Sequence, residues 1–383
     1  MNVLSLLPGF SKALHVLVFD IGSASVGVAI ARYREGTIDV LFTHREPIAF
    51  GDEQDAAALG SYVGAAIKAA GKEAIEALGR LEGVRGKYDV RAIVHTPWAD
   101  SRSDRAESTL DAETMITKEV LQQFIAQQLP VTATKGRIEF DRHVMKIELN
   151  GYATTKPYKK RAESIAVTVL KSSMSEVIHT AIQGALADVL PNHSVHIDAF
   201  LFAAMQLNKS PEEHDAYTIV DVGGEYTSIS IVRNEAVEGS SWVNFGTEYL
   251  VRTIAKGDEM SRLSAVSELT MYINNSCTPA QCRKIEKLLQ DSEQEWIKTF
   301  GDACSELSRI RRIPTTTFIS IDKRYKPWFA KAIERLDFGQ FTVTGKPLET
   351  KSLSTQRTGR ELIFKENAKK DSMLSLGVLF VDK

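Results

Sequence analysis

The chain is poor in several features that would narrow its class at once. Its 383 residues hold three cysteines, Cys277, Cys282 and Cys304. An odd count without tight pair spacing predicts a reducing compartment and no disulfide framework. No His–Cys cluster accompanies Cys277 and Cys282, so they do not read as a zinc site. No run of about 18 uninterrupted apolar residues occurs, which excludes an evident transmembrane helix. Residues 1–10 form a short apolar arm without a basic leader region, interrupted by Pro8 and Gly9, and read as a packed or frayed terminus. Neither sign of charge dominates: 47 Lys and Arg face 49 Asp and Glu. That balance gives no electrostatic footprint for nucleic acid. The eight histidines are scattered, and none pairs with a Glu at helical spacing for zinc.

What the chain does have is one phrase written twice. Phe19-Asp20-Ile21-Gly22-Ser23-Ala24-Ser25-Val26 returns as Val220-Asp221-Val222-Gly223-Gly224-Glu225-Tyr226-Thr227. Asp20 and Asp221, Gly22 and Gly223, and Ile30 and Ile231 are separated by the same interval. Each copy is an apolar run, an Asp-apolar-Gly turn and an alternating strand. Glycine lets the backbone turn sharply and approach a ligand, and the N–H groups of such a turn can cradle phosphate oxygens. Gly22, Gly223 and Gly224 would supply that backbone, with Ser23, Ser25 and Thr227 adding hydroxyls. Asp20 and Asp221 would repel phosphate, so their expected role is to hold Mg²⁺ through water. One such turn is most often an ordinary hairpin; two matched copies point to a nucleotide gripped from both sides.

The remaining pattern is alternating α and β. Strands are expected at 15–19, 26–30 and 38–42, a long helix at 56–81, a short strand at 91–95 and a polar loop at 100–111. Residues 112–190 read α-β-β-α and are expected to be a small inserted module, with Thr117 capping its first helix. A strand at 195–197 leads to an apolar helix at 198–207. The meander then repeats from Tyr217, with a third strand at 242–245. Mostly helical chain follows at 249–307, then strands at 315–321 and 341–343 around a helix at 328–336. This order predicts two related α/β halves around a cleft: 1–111 with a return at 191–215, and 216–383 with a helical region at 250–312.

With both loops in view, the chain resembles the actin-like ATPase superfamily, in its bacterial branch of type IV pilus assembly proteins (PilM) and cell-division proteins (FtsA). Asp20-Ile21-Gly22-Ser23-Ala24-Ser25-Val26 is similar to that branch's first phosphate motif, and Asp221-Val222-Gly223-Gly224-Glu225-Tyr226-Thr227 to the second. Ile197-Asp198-Ala199-Phe200 is similar to its connecting helix, and the insert lies where this branch carries its extra subdomain. The resemblance implies an actin-like fold, ATP and Mg²⁺ as cofactors, and Gly246 as the remnant of a glycine pair beside the nucleotide. There are departures. Gly27 stands where such proteins often carry a lysine that faces phosphate. Asp322-Lys323-Arg324-Tyr325 replaces the glycine pair of the adenosine motif. No residue presents itself as the base that orients water, so the expected activity is a weak ATPase at most.

The resemblance further implies a cytoplasmic protein recruited to the inner face of the membrane. It would act as a pilus-assembly scaffold, docking to an inner-membrane pilus protein through a short peptide, with self-association as an added property. An FtsA-like division protein that polymerises is one alternative, and a chain ending near Leu376–Val381 without a polar linker and membrane helix counts against it. A scaffold that holds no nucleotide is another. A sugar kinase or phosphatase of the same superfamily would need a carboxylate constellation that the sequence does not display.

Overall fold

The computed structural model describes residues 15–81, 84, 88–131, 134–208, 215–353 and 359–381; the apolar arm at 1–10 lies outside them. Val, Leu, Ile and Phe run through β1 (His15–Ile21), and all seven of its residues are buried, as expected for a strand covered on both faces. It pairs antiparallel with β2 (Ser25–Tyr33), which pairs antiparallel with β3 (Thr37–Pro47). On the other side β4 (Asp89–Val94) runs parallel to β1, and β9 (Val195–Ala199) parallel to β4. A late strand, β15 (Glu361–Phe364), returns to extend this sheet beyond β3, giving the order β15-β3-β2-β1-β4-β9.

A second sheet repeats the plan. β10 (Ala216–Val222), β11 (Thr227–Arg233) and β12 (Ala236–Val243) form its meander. β13 (Thr316–Ser320) and β14 (Glu349–Ser352) extend it in parallel, in the order β12-β11-β10-β13-β14. The repeat extends to register: Asp20 stands opposite Gly27, and Asp221 opposite Ser228.

Helices cover the outer faces. α1 (Ala56–Arg80) is capped by Asp55, whose carboxylate accepts from the N–H groups of Ala57 and Ala58. It lies against α3 (Glu176–Val189), with Gly71 so close to Val189 that a side chain there would overlap it. α5 (Thr247–Gly257), α6 (Arg262–Ile273), α7 (Pro279–Ile310) and α8 (Lys326–Ile333) enclose an aromatic core of Trp296, Phe300, Phe329 and Phe338. Between the sheets lie α4 (Phe200–Leu207) and α9 (Ser372–Val381), sharing one apolar cluster with Val18, Ala29, Ile219, Val232 and Phe318. The strongly apolar last helix is thus a core element joining the two halves.

The insert is a four-stranded antiparallel sheet, β5-β8-β6-β7, packed against α2 (Lys118–Gln128). Its strands are β5 (Asp100–Met115), β6 (Arg137–Leu149), β7 (Tyr152–Ala153) and β8 (Arg161–Ser175). Thr117 caps α2 by accepting from Val120 N–H. Ser103 Oγ accepts from Val237 N–H at 2.8 Å, so the insert also touches the edge of the second sheet.

Several expectations are corrected. Residues 100–111 belong to the long strand β5, and position 112 falls inside it. This strand pairs with β8 while exposing most side chains, so its polar composition hid it. Asp198 and Ala199 end β9 before α4 begins. β12 ends at Val243, and 341–343 contributes only a single bridge, Ile313 to Thr342, after a 3₁₀ turn at Leu336–Phe341. Cys277, in the turn after α6, and Cys282, in the first turn of α7, form a disulfide. Their spacing gave little sign of it; a turn brings the two Cα atoms to 5.6 Å. Cys304 is a free, buried thiol.

Candidate functional site

Strand register builds the centre. Asp20 in β1 lies beside Ile93 in β4, and two residues later the chain leaves β4 at His95. His95 N–H donates to Ile21 O at 3.1 Å, which holds its side chain beside Asp20. In the other half Asp221 lies beside Ser320 of β13, so Asp322 is the positional counterpart of His95. Both groups sit at the carboxyl ends of parallel strands, where open α/β sheets place ligands.

Asp20 and Asp221 converge, and a histidine lies between them. His95 Nε2 is 2.7 Å from Asp20 Oδ1, and Nδ1 is 2.8 Å from Asp221 Oδ2. The imidazole is 4% exposed and stacks on Phe200 at the start of α4, with ring centroids 4.1 Å apart. The second oxygen of Asp20 accepts from Arg45 Nη2 at 2.8 Å. Arg45 also donates to Ser25 Oγ at 3.1 Å and through two nitrogens to Asp371, at 2.7 and 3.0 Å. Asp371 in turn accepts from the N–H groups of Met373 and Leu374 in the first turn of α9. Both halves, the insert-side strand β4 and the last helix therefore meet in one ion network.

Charge sets the protonation states. Burial disfavours the imidazolium of His95, but the carboxylates of Asp221 and Asp20 outweigh it and push the pKa up to about 10. Burial alone would raise Asp20, yet Arg45 and His95 hold it down to about 2. Burial opposes the Arg45 cation too, and Asp20 and Asp371 overcome it, raising its pKa further. At neutral pH His95 is a cation donating both N–H groups to two carboxylates.

The glycine loops touch. Glu225 N–H donates to Ser23 Oγ at 3.0 Å, and Gly223 has no room for a side chain beside that hydroxyl. A Cβ on Gly224 would overlap the Cβ of Ala24. Gly22 N–H and Gly223 N–H close their own turns onto Ser25 O and Tyr226 O. Gly223 O and Gly224 O accept from Thr247 and Glu248 in the first turn of α5. Gly246 caps that helix and lies against the Gly223–Gly224 backbone. Thr227 is buried, with its hydroxyl donating to Phe245 O at 2.7 Å.

Beside the contact point lies a cavity of about 300 Å³, lined on one side by Asp20, Gly22, Ser23 and Ser25 and on the other by Gly223 and Gly224. Arg45, Arg262 and Arg324 reach it, each paired with a carboxylate: Asp20 and Asp371, Glu248, and Asp322 respectively. Asp322, Arg324 and Tyr325 form the wall at the expected adenosine end.

Sequence reasoning missed His95 and Arg45. A signal for Arg45 existed in Gly27. The two residues are register partners across β2 and β3, and a Cβ on Gly27 would stand 2.7 Å from Arg45 Nη2. The cation missing from position 27 comes from the neighbouring strand, and glycine makes room for it. His95 gave no signal except its place at the end of a strand before Pro97.

In this arrangement most of the carboxylate oxygens that would face a magnesium ion are occupied by protein groups. Both oxygens of Asp20 are engaged by protein cations, Oδ2 of Asp221 is engaged by His95 while its Oδ1 is buried without a hydrogen-bond partner, and Ser23 closes onto Glu225.

No protein-family profile matches the sequence, and no curated protein matches it. Solved structures do. The chain superposes on the PilM–PilN type IV pilus biogenesis complex with a TM-score of 0.59, at 15% identity, over 97% of this chain and 98% of that one. The ethanolamine utilization protein EutJ from Carboxydothermus hydrogenoformans gives a TM-score of 0.46 at 11% identity, over 99% and 92%. A Bacteroides thetaiotaomicron protein described as having an actin-like ATPase fold gives 0.35 at 8%, over 97% and 99%. The fold of this chain is the actin-like ATPase fold. Among the described residues no helix is long and apolar enough to cross a membrane.

Proposed function

We propose that the protein is an actin-fold scaffold of the PilM kind whose cleft is held shut by its own side chains. One observation carries this reading: an imidazolium, His95, bridges the two aspartates that the fold would use to hold a metal ion. It supplies positive charge where Mg²⁺ would supply it, so the halves stay together without a nucleotide. Calorimetric titration with ATP and Mg²⁺ tests it. The expected result is no saturable heat from folded protein; micromolar binding overturns the proposal.

The role in type IV pilus assembly, through a short peptide of an inner-membrane pilus protein at the cytoplasmic face, rests on the likeness to a pilus biogenesis complex along nearly the whole chain. In-cell cross-linking of tagged protein is expected to recover a pilus membrane protein. Recovery of division proteins instead, with nucleotide-dependent pelleting, would favour an FtsA-like filament.

A second reading keeps ATP and Mg²⁺ as ligands and is favoured by the arginine-lined cavity beside the loops. It requires the Ser23–Glu225 contact to part and His95 to release Asp20 and Asp221.

A further inference from the structure

We propose that Asp141, His143 and Asp198 form a seat for one divalent transition-metal cation at the seam between the insert and the first sheet. Asp141 and His143 are two residues apart on β6, a spacing that returns side chains to the same face of a strand. Asp198 comes from β9 of the six-stranded sheet. One potential ligand atom from each lies within 4.8 Å of the others.

The second observation is an unmet carboxylate oxygen. Asp198 is 1% exposed; its Oδ2 accepts from Arg91 Nη1 at 3.0 Å, while its Oδ1 is buried without a hydrogen-bond partner. Leaving such an oxygen unpaired is costly, the more so when it is charged. Asp141 is also buried; its Oδ2 accepts from Ala199 N–H at 3.0 Å and its Oδ1 lies 2.5 Å from His143 Nε2. Phe202 stacks on the His143 ring at 3.4 Å between centroids, which holds the ring plane.

Two buried carboxylates meet here, Asp198 paired with Arg91 and Asp141 beside His143, which concentrates negative charge at the seam. A cation met by Asp141 Oδ1, His143 Nε2 and Asp198 Oδ1 would satisfy the free oxygen and balance that charge. Two oxygens and one imidazole nitrogen suit Zn²⁺ or Mn²⁺. Tetrahedral ligation at about 2.0–2.1 Å separates ligand atoms by about 3.3 Å, so the Asp141–His143 pair would open slightly. Water would complete the shell from the side where His143 is 14% exposed.

The test uses the full chain, stripped with a chelator and titrated separately with ZnCl₂ and MnCl₂ by calorimetry. One site per chain is expected, with a rise in thermal midpoint. Asp198→Asn and His143→Gln are each expected to weaken binding by at least about tenfold, while His44→Gln, at another His–carboxylate pair, leaves it unchanged. No saturable binding by folded wild type, or binding by both variants as tight as that of wild type, overturns the proposal and leaves a proton shared by Asp141 and Asp198. Should a variant fail to fold, the wild type still decides: the ¹⁵N shift of His143 Nε2 must move on adding Zn²⁺, and an unmoved signal overturns the site.

Discussion

His95 concentrates the chemistry of the cleft in one side chain. Its pKa is raised to about 10 in the folded protein, against about 6.5 for an ordinary histidine. A group whose folded pKa is raised stabilises fully below its unfolded pKa and loses that contribution as pH climbs to the folded value. Between about pH 6.5 and about pH 10 the thermal midpoint should therefore fall more steeply in wild type than in His95→Gln. Equal slopes would show that His95 is not the linked group. Asp20 acts at the opposite end: its stabilisation is present above the ordinary carboxylate range and fades as pH drops toward about 2. The two shifts describe one ion pair and do not add. Replacing His95 by Gln leaves buried Asp221 without its cation and Asp20 with Arg45 alone, and removing one partner of a buried pair costs about 3–5 kcal/mol. Urea unfolding should show a loss of that order. Gly27 shows how a residue becomes legible only with its neighbour: in the sequence it is a missing cation, and across the strand it is the space Arg45 fills.

Among the elements, the two hairpins depend on having no side chains at their point of contact. Gly224→Ala would press its methyl into Ala24 and should cost about 1–3 kcal/mol as an overpacked contact. Gly184→Ala, in α3 with open space around it, should be stabilising by about 0.4–1 kcal/mol, because alanine restricts the unfolded chain. Parallel unfolding curves for the two variants check this pair; similar effects would mean that the loops are not in contact. α9 offers a second test at this scale. Leu379 is fully buried between the sheets, so Leu379→Ala should destabilise by about 2–5 kcal/mol. A near-neutral result would mean the helix is not a core element. Strands with alternating or continuous apolar runs, such as β1, β2 and β11, were readable from sequence because burial dictated their composition. β5 was not, since backbone pairing with β8 holds it while its side chains face solvent.

For the whole molecule, the question is what keeps the halves together. The apolar cluster around α4 and α9 supplies area, and the buried His95–Asp20–Asp221 bridge ties the two hairpins together beside it. Large apolar contact between domains restricts their relative motion, so loss of the bridge should loosen the cleft without separating the halves. Small-angle scattering of His95→Gln is expected to show a modest rise in radius of gyration, with faster amide exchange in residues 22–25 and 223–227. Unchanged exchange there would mean the bridge does not govern closure.

The repeated Asp-apolar-Gly phrase by itself determined that two alike hairpins exist, because a local turn needs only its own residues and the pairing register that follows. The same local logic placed most strands and helices. What stands between the aspartates was decided by tertiary structure alone. His95, Arg45 and Asp371 come from three separate strand ends and loops, and only the parallel pairing of β1 with β4, the β2–β3 register and the return of α9 bring their charges within bonding distance. Electrostatic attraction acts through space, and no spacing along the chain records it.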